Sequence, residues 1–263
     1  MLSKIGNIKV LSCGYCTQSE RLISKEGRWK FVHFPAKCFL IPLQEGYLLF
    51  DSGYSADAKS IMSTWPACLY KALIPVTVTP KDTAVKQLAA MGISAQEIKY
   101  IFISHFHADH IGGLRDFPNA RFICSQEGYK ALKKLSKFRQ VCKGFVADFL
   151  PEDFEKRVVF VSKNNTQKLN NLPAYPLDNL PNMYAVELPG HARGQLGLFL
   201  KNENILFAAD AVWHRANLRQ GGRPSFLALL FAESKKEYLQ TLSVLQELKD
   251  TKIFFTHGEN DVL

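Results

Sequence analysis

No window of this 263-residue chain approaches the run of about 18 apolar residues that a membrane-spanning helix needs. Its opening stretch, MLSKIGNIKVLSCGYC, also lacks the continuous apolar segment of a secretory signal. Low-complexity segments and short-period repeats are missing as well. With 47% hydrophobic and 22% charged residues, the composition is that of a globular protein able to bury a sizeable core. These absences lead to the expectation of a soluble, cytoplasmic protein, one domain over residues 1–263, with no membrane among its partners.

Cysteine is thinly spread, at Cys13, Cys16, Cys38, Cys68, Cys124 and Cys142, and a cytosolic chain of this length needs no disulfide staples. Cys13 and Cys16 form a CxxC, but no βαβ pattern flanks it and no second pair completes a structural zinc site, so buried free thiols are expected. Acidic residues are outnumbered, giving a net charge of +9. One source is KALKKLSKFR, whose Lys130, Lys133, Lys134 and Lys137 fall at helical spacing and read as a solvated face. The other is a loop with Arg215, Arg219 and Arg223. The basic residues are scattered, so a nucleic-acid partner is not expected.

The N-terminal third reads as strands: NIKVLSC, KCFLIPL and EGYLLF, the last stopping at Asp51. Residues 56–80, helical with a break at Pro66, suggest a lid or dimer arm. Helix and strand units follow: a helix from Asp82 closed by Gly92, a capping box on Ser94, the strand IKYIFIS, the strand ARFICS and a helix QEGYKALKKLSKF. Residues 145–182 read as an irregular insertion around one strand, RVVFV. MYAVELP then leads to His191, GQLGLFL and NILFAAD form a hairpin ending on Asp210, a helix carries Leu239, Leu242, Leu245 and Leu248 on one face, and KIFFTHG ends on His257.

Histidine is scarce, seven in all, yet ISHFHADHIGG packs His105, His107 and His110 together with Asp109. His105, His191, Asp210 and His257 each follow the end of an apolar strand, where distant parts of a chain converge. Imidazole and carboxylate are the donors that suit zinc and related divalent ions. In an extended stretch His105 and His107 point the same way and can reach one ion, Asp109 and His110 can reach a neighbouring one, and Asp210 is available as a shared anion. Gly112 and Gly113 allow tight packing behind this loop.

SHFHADHIGG resembles the HxHxDH signature of the metallo-β-lactamase-fold hydrolases. LLFDSG, LPGHARGQLG, FAAD and FFTHG resemble the family's other stations, in order. The resemblance implies an α/β (α+β) fold, a four-layer αββα sandwich, with a dinuclear metal site. It implies that His105, His107 and His191 hold one ion, that Asp109, His110 and His257 hold the second, and that Asp210 bridges them. Zinc hydrolysis is favoured over the di-iron redox branch, although iron and manganese suit the same ligands. A water bridging two such cations loses a proton near neutral pH and attacks an electrophilic carbonyl or phosphoryl centre. Asp109 is expected to orient it and shuttle a proton, with Asp51 supporting the ligand loop.

Overall layout is similar to the N-acyl-homoserine-lactone lactonase branch, which implies opening of an ester or lactone bond in a small molecule. That branch carries a tyrosine three residues after the bridging aspartate; here Trp213 stands there, and the next residue, His214, is the candidate catalytic donor. The arginine loop suits an anionic substrate, while WPACLYKALIPV and PSFLALLF suit an acylated one or a homodimer contact. A phosphodiesterase or nuclease of the same fold is the alternative reading, and a thioesterase like glyoxalase II the second.

Overall fold

The apolar runs LLF, IKYIF and RFIC become adjacent parallel strands in a computed structural model that describes residues 8–23, 25 and 27–257. The chain divides into two compact units, residues 8–17 with 35–160 and residues 18–34 with 161–257. Two sheets, each with helices on its connections, make it a mixed α/β protein. Among the described residues no helix is long and apolar enough to cross a membrane.

The seven-stranded sheet holds β1 (Lys9–Ser19), β2 (Phe31–Pro42), β3 (Tyr47–Phe50), β4 (Val76–Thr77), β5 (Ile98–Phe102), β6 (Arg121–Cys124) and β7 (Val158–Phe160), and all but the end of β1 and the start of β2 belong to the first unit. Their order is β4-β1-β2-β3-β5-β6-β7, and the last four run parallel. Leu48, Leu49, Phe50, Ile101, Phe102 and Phe122 are fully buried, as parallel strands covered on both faces require. The CxxC lies inside β1, where residues three apart face opposite sides; Cys13 is buried against Cys38, with sulfurs 3.6 Å apart, rather than against Cys16.

Within residues 56–80, Ala58, Met62, Ala67 and Tyr70 are buried in this unit's core, and Trp65 and Leu73 are exposed. Two expectations need correction here. The single helix expected over QEGYKALKKLSKF is two, Gln126–Lys133 and Lys137–Cys142. Ser136 separates them because its hydroxyl accepts the Arg139 N–H and caps a new helix. Residues 145–182 are more regular than expected, holding β7 and two strands of the second unit.

That unit contains β8 (Gln167–Leu169), β9 (Leu172–Pro176), β10 (Met183–Glu187), β11 (Leu196–Leu200), β12 (Ile205–Phe207) and β13 (Lys252–Phe254), ordered β13-β12-β11-β10-β9-β8. Asn170, Asn182 and Asn204 take the left-handed conformation in the tight turns, one that asparagine tolerates. All pairs are antiparallel except β12 with β13. The helix Lys235–Glu247 turns Leu242 and Leu245 into the core, with Leu248 just beyond it, but Leu239 is 40% exposed. Tyr238 and Thr241 take the inner positions beside them.

Candidate metal centre

Strand register explains the candidate ligands of the first unit. β3 and β5 run parallel with Phe50 opposite Phe102, their rings stacked 5.5 Å apart, so Asp51 and Ser104 emerge side by side. The Asp51 N–H donates to the Phe102 carbonyl at 2.9 Å. Its carboxylate accepts the Ser104 N–H at 2.8 Å and the Ser104 hydroxyl at 2.9 Å. His110 Nδ1 lies 2.8 Å from the same carboxylate. Asp51, Ser104 and His110 are all fully buried. Burial pushes the Asp51 carboxyl above its usual range, while His110 and the Ser104 donors pull it down.

The histidine loop is clamped from behind. Ser52 N–H and hydroxyl both donate to the His110 carbonyl, at 2.8 and 2.9 Å, and Gly113 N–H donates to Gly53 at 2.9 Å. A Cβ on Gly112 would lie 2.7 Å from the Gly53 carbonyl oxygen, and one on Gly113 would lie 2.6 Å from that of Ser52. The tight packing expected of this glycine pair is therefore present. It brings the His105 ring centroid within 4.0 Å of His110 and 4.4 Å of His107. His107 packs beneath Gly144, whose carbonyl accepts the Ala108 N–H at 3.0 Å. Asp109 Oδ2 stands 3.5 Å from His110 Nε2.

The second unit positions its own candidate ligands by the same device. In the parallel pair β12 and β13, Phe207 is opposite Phe254, and Asp210 and His257 each lie three residues further on. Ala208 N–H donates to the Phe254 carbonyl at 2.7 Å, holding the two exits together. Ala209, with φ of 45°, turns the chain so that Asp210 is buried. His191 follows β10, and its carbonyl and that of Gly190 accept N–H groups from Glu233 and Ser234, at 3.0 and 2.9 Å. His191 Nε2 and His257 Nε2 then face one oxygen, Asp210 Oδ2, at 3.4 and 3.3 Å.

This donor set fits divalent cations. Buried imidazoles beside carboxylates are what such ions take, and crowding them without a cation would desolvate polar groups at a cost. A metal-binding histidine commonly gives its second ring nitrogen to a carboxylate or hydroxyl. His110 does so to Asp51, and His105 Nδ1 lies 3.0 Å from the Ser104 hydroxyl. Ser104 and Gly144 were missed by the sequence reading. Only Ser104 left a signal there, its place between the strand and His105.

The Trp213 ring is T-shaped to His191 and His257, at centroid distances of 5.2 and 6.1 Å. Its indole nitrogen is buried without a hydrogen-bond partner among the described residues. An unpaired buried donor costs about 1–3 kcal/mol. His214 turns elsewhere. Its Nδ1 accepts the Ala216 N–H at 3.2 Å, capping the turn Arg215–Leu218, and its Nε2 lies 3.5 Å from Glu20. Glu20 is held below the usual carboxylate range, chiefly by the Arg28 N–H, with Lys30, His214 and Arg28 charges assisting.

The model of the Metallo-beta-lactamase superfamily matches residues 33–257. The chain belongs to that superfamily. It is a metal-dependent hydrolase, as the histidine pattern implied. Among its relatives, an N-acyl homoserine lactonase of Bacillus thuringiensis is 24% identical over 191 residues, 72% of this chain and 68% of that one. The N-acyl homoserine lactonase AttM of Rhizobium radiobacter is 25% identical over 209 residues, 77% and 74% of the two chains. An N-acyl homoserine lactone hydrolase, solved with N-hexanoyl-L-homoserine at its catalytic metal center, superposes with a TM-score of 0.71. It shares 20% identity and covers 97% of this chain and 94% of that one. AidC, a dizinc quorum-quenching lactonase, gives a TM-score of 0.66 at 17% identity, covering 97% and 88%.

Proposed function

We propose that this metallo-β-lactamase-superfamily member opens the lactone ring of an acylated small molecule with two divalent ions, zinc in the first place. The observation that carries the reading is Asp210 Oδ2 facing the Nε2 atoms of both His191 and His257, the disposition a bridging carboxylate needs. His105, His107 and His191 are proposed to hold one ion with Asp210. Asp109, His110 and His257 are proposed to hold the other, again with Asp210. An all-nitrogen and oxygen donor set of this kind suits zinc. When bound, such ions lower the pKa of water and polarise the oxygen of an ester carbonyl.

The chain's own residues do the rest. Asp51 and Ser104 fix the rings of His110 and His105 through their Nδ1 atoms, so the Nε2 side of each ring is presented without reorganisation. Asp109 is proposed to orient the attacking water and to pass its proton to the departing ring oxygen. His214 is proposed as a positioning residue: by capping Arg215–Leu218 and facing Glu20 it steadies the turn that follows Trp213. The lactonase relatives support a lactone as substrate, and the product bound in one of them is N-acylated.

The test is a panel of an N-acyl homoserine lactone, a thioester, an aryl phosphodiester and a β-lactam, run on metal-loaded protein beside a His107→Ala control. Lactone opening that disappears in the control is the expected result. Turnover of the phosphodiester alone would overturn the reading in favour of phosphoryl chemistry.

A further inference from the structure

We propose that Gly144 is a positioning residue for one ion of the pair. By laying a bare α-carbon against the His107 imidazole it sets that ring's orientation, and with it the occupancy of the His105, His107 and His191 ion alone. This rests on the ligand assignment proposed above. A Cβ on Gly144 would lie 2.6 Å from His107 Cδ2, and 3.0 and 3.1 Å from the ring atoms on either side of it, Nε2 and Cγ. Distances that short to three consecutive ring atoms place the glycine over the imidazole face. The His105 ring stands T-shaped to His107 at 4.4 Å and 75°. The His107 ring therefore packs against both a fellow ligand and a stretch of backbone.

That backbone is pinned on each side of the contact. Before His107, the buried Phe106 ring meets the buried Phe145 ring at 5.9 Å and 80°. After it, the Ala108 N–H donates to the Gly144 carbonyl at 3.0 Å. Gly144 ends the helix Lys137–Cys142 in the left-handed region, with φ of 73°. Its N–H donates to the Val141 carbonyl at 2.9 Å, and the Phe145 N–H donates to the Gln140 carbonyl at 3.0 Å. Gln140 is buried in turn, and its side-chain amide donates to the Leu132 carbonyl at 3.2 Å.

With both chain segments held, a side chain at position 144 displaces the ring rather than the loop. Carbon atoms in contact relax to about 3.5–4.0 Å, so the imidazole must shift by more than the roughly 0.5 Å that a functional geometry tolerates. His110 is held instead by Asp51 and Ser52. The disturbance thus falls on the ion that His107 serves and spares the one assigned to Asp109, His110 and His257.

The test is a titration of metal-free protein with zinc against a chelating dye. The parent should take two ions. Gly144→Ala should keep one at the parent's affinity and bind the other about 10- to 100-fold more weakly. Zinc-edge anomalous maps of that variant should show the weakened peak beside His105, His107 and His191. Gly92→Ala is the control. Gly92 is also left-handed, with φ of 77°, and a Cβ there meets nothing within 4 Å, so this variant should hold both ions as the parent does. Gly144→Asn brings a Cβ on a residue that tolerates the left-handed turn. It should match Gly144→Ala, and it carries the test if the alanine variant does not fold. Two ions at the parent's affinity in the Gly144 variants, or equal weakening of both, overturns the proposal. A parent that takes fewer than two ions overturns the dinuclear reading first, and this inference with it.

Discussion

Asp51 carries more of the site than its distance in sequence from the histidines would indicate. Three hydrogen bonds tie it to Ser104 and His110 inside a fully buried pocket. Asp51→Asn keeps the shape but weakens the hold on His110, and metal affinity is expected to fall about 10- to 100-fold, measured by competition with a chelating dye. His214 separates two roles cleanly. If it supports the turn through its cap, His214→Asn, which restores a good capping acceptor, should keep at least half the lactone turnover; a role as proton donor predicts near-complete loss. Asp116, away from the metal ligands, is pushed up to about 6 by burial and by the charge of Asp57. A raised carboxyl favours the folded state below the unfolded-state value and gives up that contribution as pH rises through about 6. Asp116→Asn should thus stabilise the fold at pH 7.5 by on the order of 1 kcal/mol after allowing for solvent screening, read as a higher melting midpoint, and change little at pH 4.

At the level of elements, parallel pairing does the positioning. The strand pairs β3 with β5 and β12 with β13 deliver Asp51 beside Ser104, and Asp210 beside His257. The strands and their polar ends were readable because buried parallel strands are apolar runs that stop where the chain leaves the sheet. β8 was not, since QKL is an edge strand whose exposed side chains resemble a loop. Ser136 was hidden inside a helical pattern because a capping hydroxyl and a surface hydroxyl look alike in sequence. The pairing of Asp51 with Ser104 needed the register of two strands far apart in sequence, which periodicity does not report. Gly113→Ala tests the clamp behind the histidines. With a Cβ 2.6 Å from the Ser52 carbonyl oxygen, the loops must part, and a loss of about 1–3 kcal/mol is expected, read by urea unfolding. An unchanged midpoint would mean that the two loops are not held together there.

Taken whole, the molecule is a two-sheet α/β chain of net charge +9 whose superfamily match spans residues 33–257. Its basic helix face is solvated and partly neutralised, Lys133 pairing with Glu155 and Lys137 with Asp148, as the scattered charge implied. What ties the account together is the proposal that seven ligands, from His105 to His257, serve one pair of ions. Anomalous diffraction from crystals of zinc-loaded protein, recorded on both sides of the zinc edge, tests this most directly. Two neighbouring peaks are predicted, one ringed by His105, His107 and His191, the other by Asp109, His110 and His257, with Asp210 touching both. A lone peak, or peaks away from these side chains, would contradict it.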